Sequence, residues 1–171
     1  MKRLFWGLLS IVVLVGCGYK PTAYYAKQAL GNQIYAEVTI SRQDPKNSVV
    51  IKDAVNEAIV GRFGAKLVSK EKADSILKVQ IQGISFSPTV YDQFGYVTSY
   101  KTTVTLAFSY ENAEHHVEKF TTTGEYDFSI ESNSVIADSN RYEAIKAASS
   151  EALDEFISKI AIKGLRDGNH H

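Results

Sequence analysis

Alternating apolar and polar residues predict a strand where the regular part of the chain begins. From Gln33 onward, every second side chain is apolar, at Ile34, Ala36, Val38 and Ile40. A period of two places these side chains on one face of a strand and the intervening polar residues on the other. The pattern therefore predicts a first strand with one buried face.

A helical pattern follows this strand. Asp44 and Pro45 supply a helix start, Asp as the cap and Pro at the first helical position, although Asn47-Ser48 could serve instead. The next apolar residues share one face at helical spacing: Ile51, Val55, Ala58, Ile59 and Phe63. Gly64 fits the position just past the helix end. These residues predict an amphipathic helix of about four to five turns.

Three more strands are predicted, joined by short turns. In the second strand, Leu77, Val79 and Ile81 alternate with polar residues, and Pro88 is expected to end it. An aromatic connection at residues 89–96 leads to a third strand, whose inward positions are Tyr100, Thr102, Val104, Leu106, Phe108 and Tyr110. A polar turn at residues 111–114 precedes a fourth strand, with His116, Phe120, Tyr126 and Phe128 on one face. Short turns between long strands favour antiparallel neighbours.

The chain closes with a second predicted helix over residues 140–163. Its apolar stripe is Ile145, Ala148, Ala152, Phe156 and Ile160, and Gly164 is expected to end it. The predicted order is β-α-β-β-β-α. One-sided helices and strands bury their apolar faces most economically in an α/β (α+β) two-layer sandwich. We therefore expect a four-stranded, mostly antiparallel sheet with both helices on one face, and a polar but weakly charged opposite face.

The first 16 residues have a different pattern, that of a secretory signal peptide. Lys2 and Arg3 precede an apolar run of about 12 residues, shorter than the roughly 20 that a transmembrane helix needs. Leu14-Val15-Gly16-Cys17 resembles the bacterial lipobox, whose Cys receives diacylglycerol and, after cleavage, an N-terminal acyl chain. Gly18, rather than Asp, follows the Cys, as in lipoproteins sorted to the outer membrane. A plain cleaved signal with an incidental Cys is the alternative.

These patterns divide the chain into four parts. We expect a signal peptide at residues 1–16, a lipidated tether at 17–33, a single sandwich domain at 34–164 and a disordered tail at 165–171. His170-His171 in that tail could be native or part of a purification tag.

Composition narrows the functional class. The chain carries 19 Lys+Arg against 19 Asp+Glu, so no excess of positive charge is available to bind a nucleic acid. Because Lys2 and Arg3 belong to the leader, the mature chain is slightly acidic. A single Cys excludes an intramolecular disulfide and a cysteine-based zinc site.

The sequence contains no recognisable catalytic or metal-binding pattern. It lacks a G-x-S-x-G elbow and a Gly-rich phosphate loop after a strand. His115 and His116 are neighbours at a turn and would point to opposite faces of a strand, which favours solvated histidines over a metal site. We therefore expect no enzyme, no metal and no cofactor beyond the acyl chains on Cys17.

Aromatic residues around the predicted hairpin favour a contact with a partner. Aromatics clustered at a loop tip mark contact surfaces more often than scattered ones do. The four residues concerned are Tyr91, Phe94, Tyr96 and Tyr100.

Several features together resemble the LptE family of lipopolysaccharide-assembly lipoproteins. They are a lipobox followed by Cys17-Gly18-Tyr19-Lys20-Pro21, a first strand ending at Asp44-Pro45, the helical segment Val49-Val50-Ile51-Lys52-Asp53-Ala54-Val55, an aromatic hairpin tip and a long C-terminal helix. The resemblance spans essentially the whole mature domain. It implies two helices on a four-stranded sheet, in a non-catalytic lipoprotein that sits inside a large outer-membrane β-barrel (LptD-type), plugs it and helps it assemble.

The resemblance also implies partners and a location. They are the barrel, lipopolysaccharide and the lipid bilayer, at the cell outer membrane, with the domain facing the periplasm and the barrel lumen. Basic side chains near strand ends would contact lipid phosphates. The hairpin tip carries no base, so Lys101 and Lys119 are the nearest candidates, with solvated lysines as the alternative. Two other classes stay open: an envelope scaffold or adhesin unrelated to lipopolysaccharide, and an envelope enzyme.

Cys17→Ala should release the protein from the outer membrane, because stable attachment needs two or more acyl chains and this change removes their acceptor. Membrane fractionation and labelled palmitate incorporation measure the result. Acylation that persists in the variant would contradict the lipobox assignment.

Overall fold

The computed structural model describes residues 30–39, 45–131 and 134–167. Within these ranges the fold is a mixed α+β fold with two helices and one open sheet. In chain order, its elements are β1 (Gln33–Thr39), α1 (Pro45–Gly61), β2 (Lys66–Leu67), a 3₁₀ turn (Lys70–Lys72), β3 (Ser75–Tyr91), β4 (Val97–Glu111), β5 (Val117–Ser129) and α2 (Asp138–Asp167).

The sheet has five strands in the order β2-β1-β3-β4-β5. β1 pairs in parallel with both β2 and β3, whereas β3 with β4 and β4 with β5 are antiparallel. The prediction of four strands is therefore wrong. The additional strand, β2, has only two residues, too few to show an alternating pattern.

The core forms from the faces that the apolar patterns predict. α1 ends at Gly61, so the prediction that Gly64 lies just past the helix end is wrong and Phe63 lies beyond the helix. Phe63, the four predicted positions within α1 and all five of α2 are nevertheless buried. They belong to one cluster with inward strand residues, among them Ile34, Leu77, Val79, Val104, Leu106 and Phe108. Phe108 stacks on Phe156 with ring centroids 4.3 Å apart. Thr102 is also fully buried, and its hydroxyl has no hydrogen-bond partner among the described residues.

Two elements continue beyond their predicted ends. β3 does not end at Pro88 but continues to Tyr91. Because β1 pairs with β3 only as far as Gln80, the missing N–H of Pro88 can face a side of the strand that has no described neighbour. α2 continues past Gly164, since one interior glycine costs a helix only about 1 kcal/mol. Ile40 and the proposed cap Asp44 lie outside the described residues.

α2 approaches the sheet very closely at Gly124 of β5. A Cβ atom built there would overlap the Ala148 carbonyl oxygen and lie 2.5 Å from the Ala152 nitrogen. Beside it, the Thr122 hydroxyl donates a 2.6 Å hydrogen bond to the Ala152 carbonyl. Backbone therefore packs directly on backbone at this point, and only glycine leaves room for it.

This approach brings α2 side chains to the outer edge of β5. Three side chains, four residues apart on the helix, bond to main-chain groups of the strand: Glu151 to the Glu125 N–H (2.6 Å), Glu155 to the Thr123 N–H (3.1 Å) and Lys159 to the Thr121 carbonyl (3.0 Å). Hydrogen bonds from Lys159 and from the Thr123 N–H hold the pKa of Glu155 below its usual value. The free edge of this strand is thus covered along its middle.

Gly124→Ala should destabilise the mature chain by about 3 kcal/mol, because the new methyl group cannot fit without moving α2. Urea unfolding followed by circular dichroism measures this change. Gly83→Ala is the matched control, since no atom lies within 4 Å of a Cβ built there. Equal unfolding midpoints for the two variants would contradict the prediction.

Candidate functional site

A polar surface, called the outer face below, is formed by strand residues that alternate with the core positions. Its members are Lys78, Gln80, Gln82, Lys101, Thr103, Thr105, Ser109, Lys119, Thr121, Thr123 and Glu125. Except for Gln82, which lies at the register shift between Ile81 and Gly83, in-register pairing aligns them in rows across β3, β4 and β5. Most of these side chains carry hydroxyl or amide groups. The charged side chains lie toward the two ends of the face, measured along the strands.

One end of the outer face is basic and borders a groove of about 530 Å³. Lys78 and Lys119 flank Ser109 in a single row, and Glu37 of β1 is in register with Lys78. Both lysines are exposed, and neither forms an ion pair within 4.0 Å in the described part of the chain. Gln80 lines the groove next to them. Alternation in the sequence predicts that Lys78 lies on the polar face, but its position in the same row as Lys119 depends on strand register, which the sequence does not give.

Lys101 lies in a different environment. Its Nζ is 2.7 Å from Glu125 Oε2, and this hydrogen bond raises the pKa of Lys101. Asp127 is its in-register neighbour on β5. Because Lys119 pairs with Ser109, the two candidate lysines are separated along the sheet by about 26 Å, at about 3.3 Å per residue. The structure therefore does not bring them together.

The hairpin between β3 and β4 ends in an exposed aromatic tip. The exposed fractions are 57% for Tyr91, 73% for Phe94 and 46% for Tyr96. Asp92 Oδ1 accepts hydrogen bonds from the Phe94 and Tyr96 N–H groups, both at 2.9 Å. Gly95 closes the turn with φ +83°. The turn geometry is fixed by hydrogen bonds while the aromatic rings face solvent.

Tyr100, the fourth predicted contact residue, does not belong to this tip. It lies within β4, is half-buried and stacks on Phe128 with ring centroids 6.0 Å apart and planes 22° from parallel. Three of the four predicted aromatics therefore share the tip, and the fourth supports the sheet.

The start of the described chain and the aromatic tip lie at opposite ends of the sheet. At the first end, Ser75 Oγ donates a 2.6 Å hydrogen bond to the Leu30 carbonyl. There Asp74 Oδ2 also accepts 2.9 Å hydrogen bonds from the Asn32 and Gln33 N–H groups. β4, which connects the two ends, has 15 residues and spans about 50 Å.

The histidines of the β4–β5 turn form no metal site. His115 adopts φ 61°, and its Nδ1 lies 2.7 Å from Glu111 Oε1, which lowers the pKa of Glu111. His116 is exposed in the same turn, so its predicted place in the fourth strand is wrong, because the polar turn is longer than expected. Among the described residues, no group of three or more His, Cys, Asp or Glu could hold a metal ion.

Other predicted features cannot be placed. Cys17 and His170-His171 lie outside the described ranges. Neither described helix is both long and apolar enough to cross a membrane.

Comparison with known proteins identifies one matching family. The model of the LptE family, described as lipopolysaccharide-assembly, matches residues 35–160. No curated protein matches the chain.

Solved structures add a likeness of fold. A putative lipoprotein from Caulobacter crescentus is 10% identical, with 85% of this chain and 98% of that one covered and a TM-score of 0.53. A protein from Xanthomonas campestris is 12% identical, with 81% and 87% covered and a TM-score of 0.53. Rare lipoprotein B from Shewanella oneidensis is 14% identical, with 81% and 95% covered and a TM-score of 0.43. The first two structures share the fold.

Proposed function

The chain belongs to the LptE family of lipopolysaccharide-assembly proteins, and we propose that it is the plug subunit of the lipopolysaccharide translocon. In this proposal Cys17 carries the acyl chains that hold the protein in the outer membrane. The folded domain enters the lumen of the large LptD-type β-barrel and helps the barrel to assemble. It acts by binding and not by catalysis.

The polar outer face is the observation that carries this proposal. We propose that both helices cover the other face of the sheet, so that the outer face meets the barrel wall. The lumen of an outer-membrane barrel is polar, and a plug must satisfy its hydrogen-bonding groups. Rows of Thr, Gln and Ser side chains supply donors and acceptors for such a wall.

The aromatic tip supplies the apolar part of the contact in this proposal. Tyr91, Phe94 and Tyr96 are exposed at one end of the domain, on a turn that Asp92 holds in one geometry. Rigid aromatic side chains bind a pocket with little loss of conformational entropy, and they are enriched among residues that dominate binding energy. We propose that these three residues anchor the domain in the barrel.

The basic end of the outer face is the part that suits lipopolysaccharide phosphates. Lys78 and Lys119 lie in one row beside the groove and have no carboxylate within ion-pair distance among the described residues. Lysine ammonium groups bind phosphate oxygens by charge-assisted hydrogen bonds. Lys101 is a weaker candidate, because Glu125 already neutralises it.

Co-purification from detergent-solubilised outer membranes tests the plug proposal. We expect the tagged wild-type chain to recover a large barrel subunit in about equal amounts. Phe94→Ser combined with Tyr91→Ser should reduce that recovery by about tenfold or more, since dominant aromatic contacts contribute about 2 kcal/mol or more each. Tyr126→Ser, which changes an exposed aromatic away from the tip, is the control.

Negative results with the wild-type chain and with the tip variant would contradict different statements. If the wild-type chain recovers no barrel, the plug proposal is wrong. If the tip variant recovers as much barrel as the Tyr126 control, the aromatic tip is not the anchor.

Lys119→Glu should weaken lipopolysaccharide binding by about tenfold, whereas Lys101→Glu should have a smaller effect. The reason is that Lys119 forms no ion pair with any described residue, whereas Lys101 is bonded to Glu125. Titration of the purified mature chain with fluorescent lipopolysaccharide measures both variants. Equal losses would remove the distinction between the two lysines, and no loss in either would remove both from the site.

A further inference from the structure

The two lateral edges of the long strands are treated differently. On the β5 side, Glu151, Glu155 and Lys159 of α2 bond to the main chain of the strand. On the other side, β1 pairs with β3 only from Ser75 to Gln80. From Gln82 onward, no strand of the described residues lies beside β3 on this side. Within the described part of the chain, one edge is therefore covered and the other is open.

The pairing pattern shows which main-chain groups face this open edge. Thr121, Thr123 and Glu125 direct their main-chain groups away from β4, so the residues that alternate with them, Thr122 and Gly124, bond to β4. Successive residues of a strand direct their hydrogen bonds to opposite sides.

The same alternation carries across β4 to β3. Leu106 and Val104 pair with Thr122 and Gly124, so the odd-numbered residues of β4 bond to β3. Their partners on β3 are Gly83, Ser85 and Ser87. The residues left to direct N–H and C=O groups to the open edge are Ile84 and Phe86.

The composition and packing of this edge favour the binding of an extended peptide. No charged residue occurs between Val79 and Tyr91, so charge, one of the means by which proteins block a free edge, is missing between the bulge at Gln82 and Pro88. Ile84 and Phe86 pack against the core cluster but are only half-buried, so an added strand could extend the apolar layer. The Arg141 guanidinium lies 4.8 Å from the Phe86 ring centroid and supports that ring from the helix side.

The open edge has defined limits. A register shift between Ile81 and Gly83 begins it, and Pro88 with the shift that follows ends it. Because Pro has no N–H, an added strand would lose a ladder bond there. Between these limits, the N–H and C=O groups of two residues, Ile84 and Phe86, are directed to the edge.

We propose that the edge of β3 from Gln82 to Ser87 binds an extended segment of the barrel subunit by strand addition. This inference rests on the proposed function and names the surface through which the partner binds. Main-chain groups of Ile84 and Phe86 supply the hydrogen bonds. The added segment places apolar side chains beside Ile84 and Phe86 and polar ones beside Ser85, since a strand alternates between the two faces.

Hydrogen exchange resolved to single amides tests this inference without any substitution. The full mature chain is measured in detergent alone and in its complex with the barrel subunit. The Ile84 and Phe86 amides should exchange rapidly in the free chain and at least about tenfold more slowly in the complex. The Gly83, Ser85 and Ser87 amides, which bond to β4, are the internal control and should be slow in both states.

A variant pair gives a second, independent measurement. Ile84→Pro removes the N–H that faces the open edge, and Ile84→Ala removes a similar amount of side chain but keeps that N–H. Recovery of the barrel should fall by about tenfold more in the Pro variant than in the Ala variant. Thermal unfolding of both variants checks that they are folded, and the exchange measurement decides if the Pro variant is not.

Each contrary result has a distinct meaning. If the complex forms and the Ile84 and Phe86 amides stay exposed, the strand-addition inference is wrong and the plug proposal stands. If both amides are already protected in the free chain, its own residues close the edge and the inference is wrong. If no complex forms, the plug proposal fails and the inference falls with it.

Discussion

The backbone of α2 lies directly against the backbone of β5 at Gly124, with no side chain between them. This approach fixes the depth at which the helix packs, and therefore which of its residues reach the strand. Ala148 and Ala152 provide small surfaces at the contact, and the Thr122 hydroxyl bonds to the Ala152 carbonyl. With the helix at this depth, Glu151, Glu155 and Lys159 reach the main chain of β5. Without it, the same side chains would extend into solvent and the strand would keep a free edge.

Because α2 covers the edge at β5, another chain can pair with the sheet more easily at the β3 edge. A long strand with free main-chain groups pairs readily with other chains, and proteins usually block it. Here α2 blocks β5, whereas the distal half of β3 is open among the described residues and lacks charge. The outer face and the aromatic tip adjoin that half of β3. In the proposed complex, these three neighbouring surfaces would bind the partner, and the helix-covered edge would lie outside the contact.

Residue periodicity predicts most of this fold, because burial imposes it on the sequence. The inward positions of α1, α2 and β4 were recognisable since they repeat over several turns or pairs, and all are at least half-buried. The sequence does not predict β2, because a strand of two residues shows no alternation. Pro88 does not end β3, because a strand tolerates proline where it has no neighbour on the side that the proline nitrogen faces, and the sequence does not show which side that is. The pairing of Lys101 with Glu125 and the nearness of Lys78 to Lys119 depend on strand register, which a single sequence does not fix.

The separation of charge along the outer face follows from that register, and it bears on how a chain with no net charge could bind an anionic lipid. A net charge near zero provides no long-range attraction for phosphate, so any binding must arise from local geometry. Register places Lys78 and Lys119 in one row at one end, and it places Glu125 and Asp127 beside Lys101 about 26 Å away. The two lysines that form no ion pair among the described residues of the outer face therefore lie at the end where the described chain begins at Leu30, with Glu37 in register beside Lys78. The aromatic tip lies at the other end of β4, so lipid phosphate and the proposed barrel anchor would occupy separate ends of the same face.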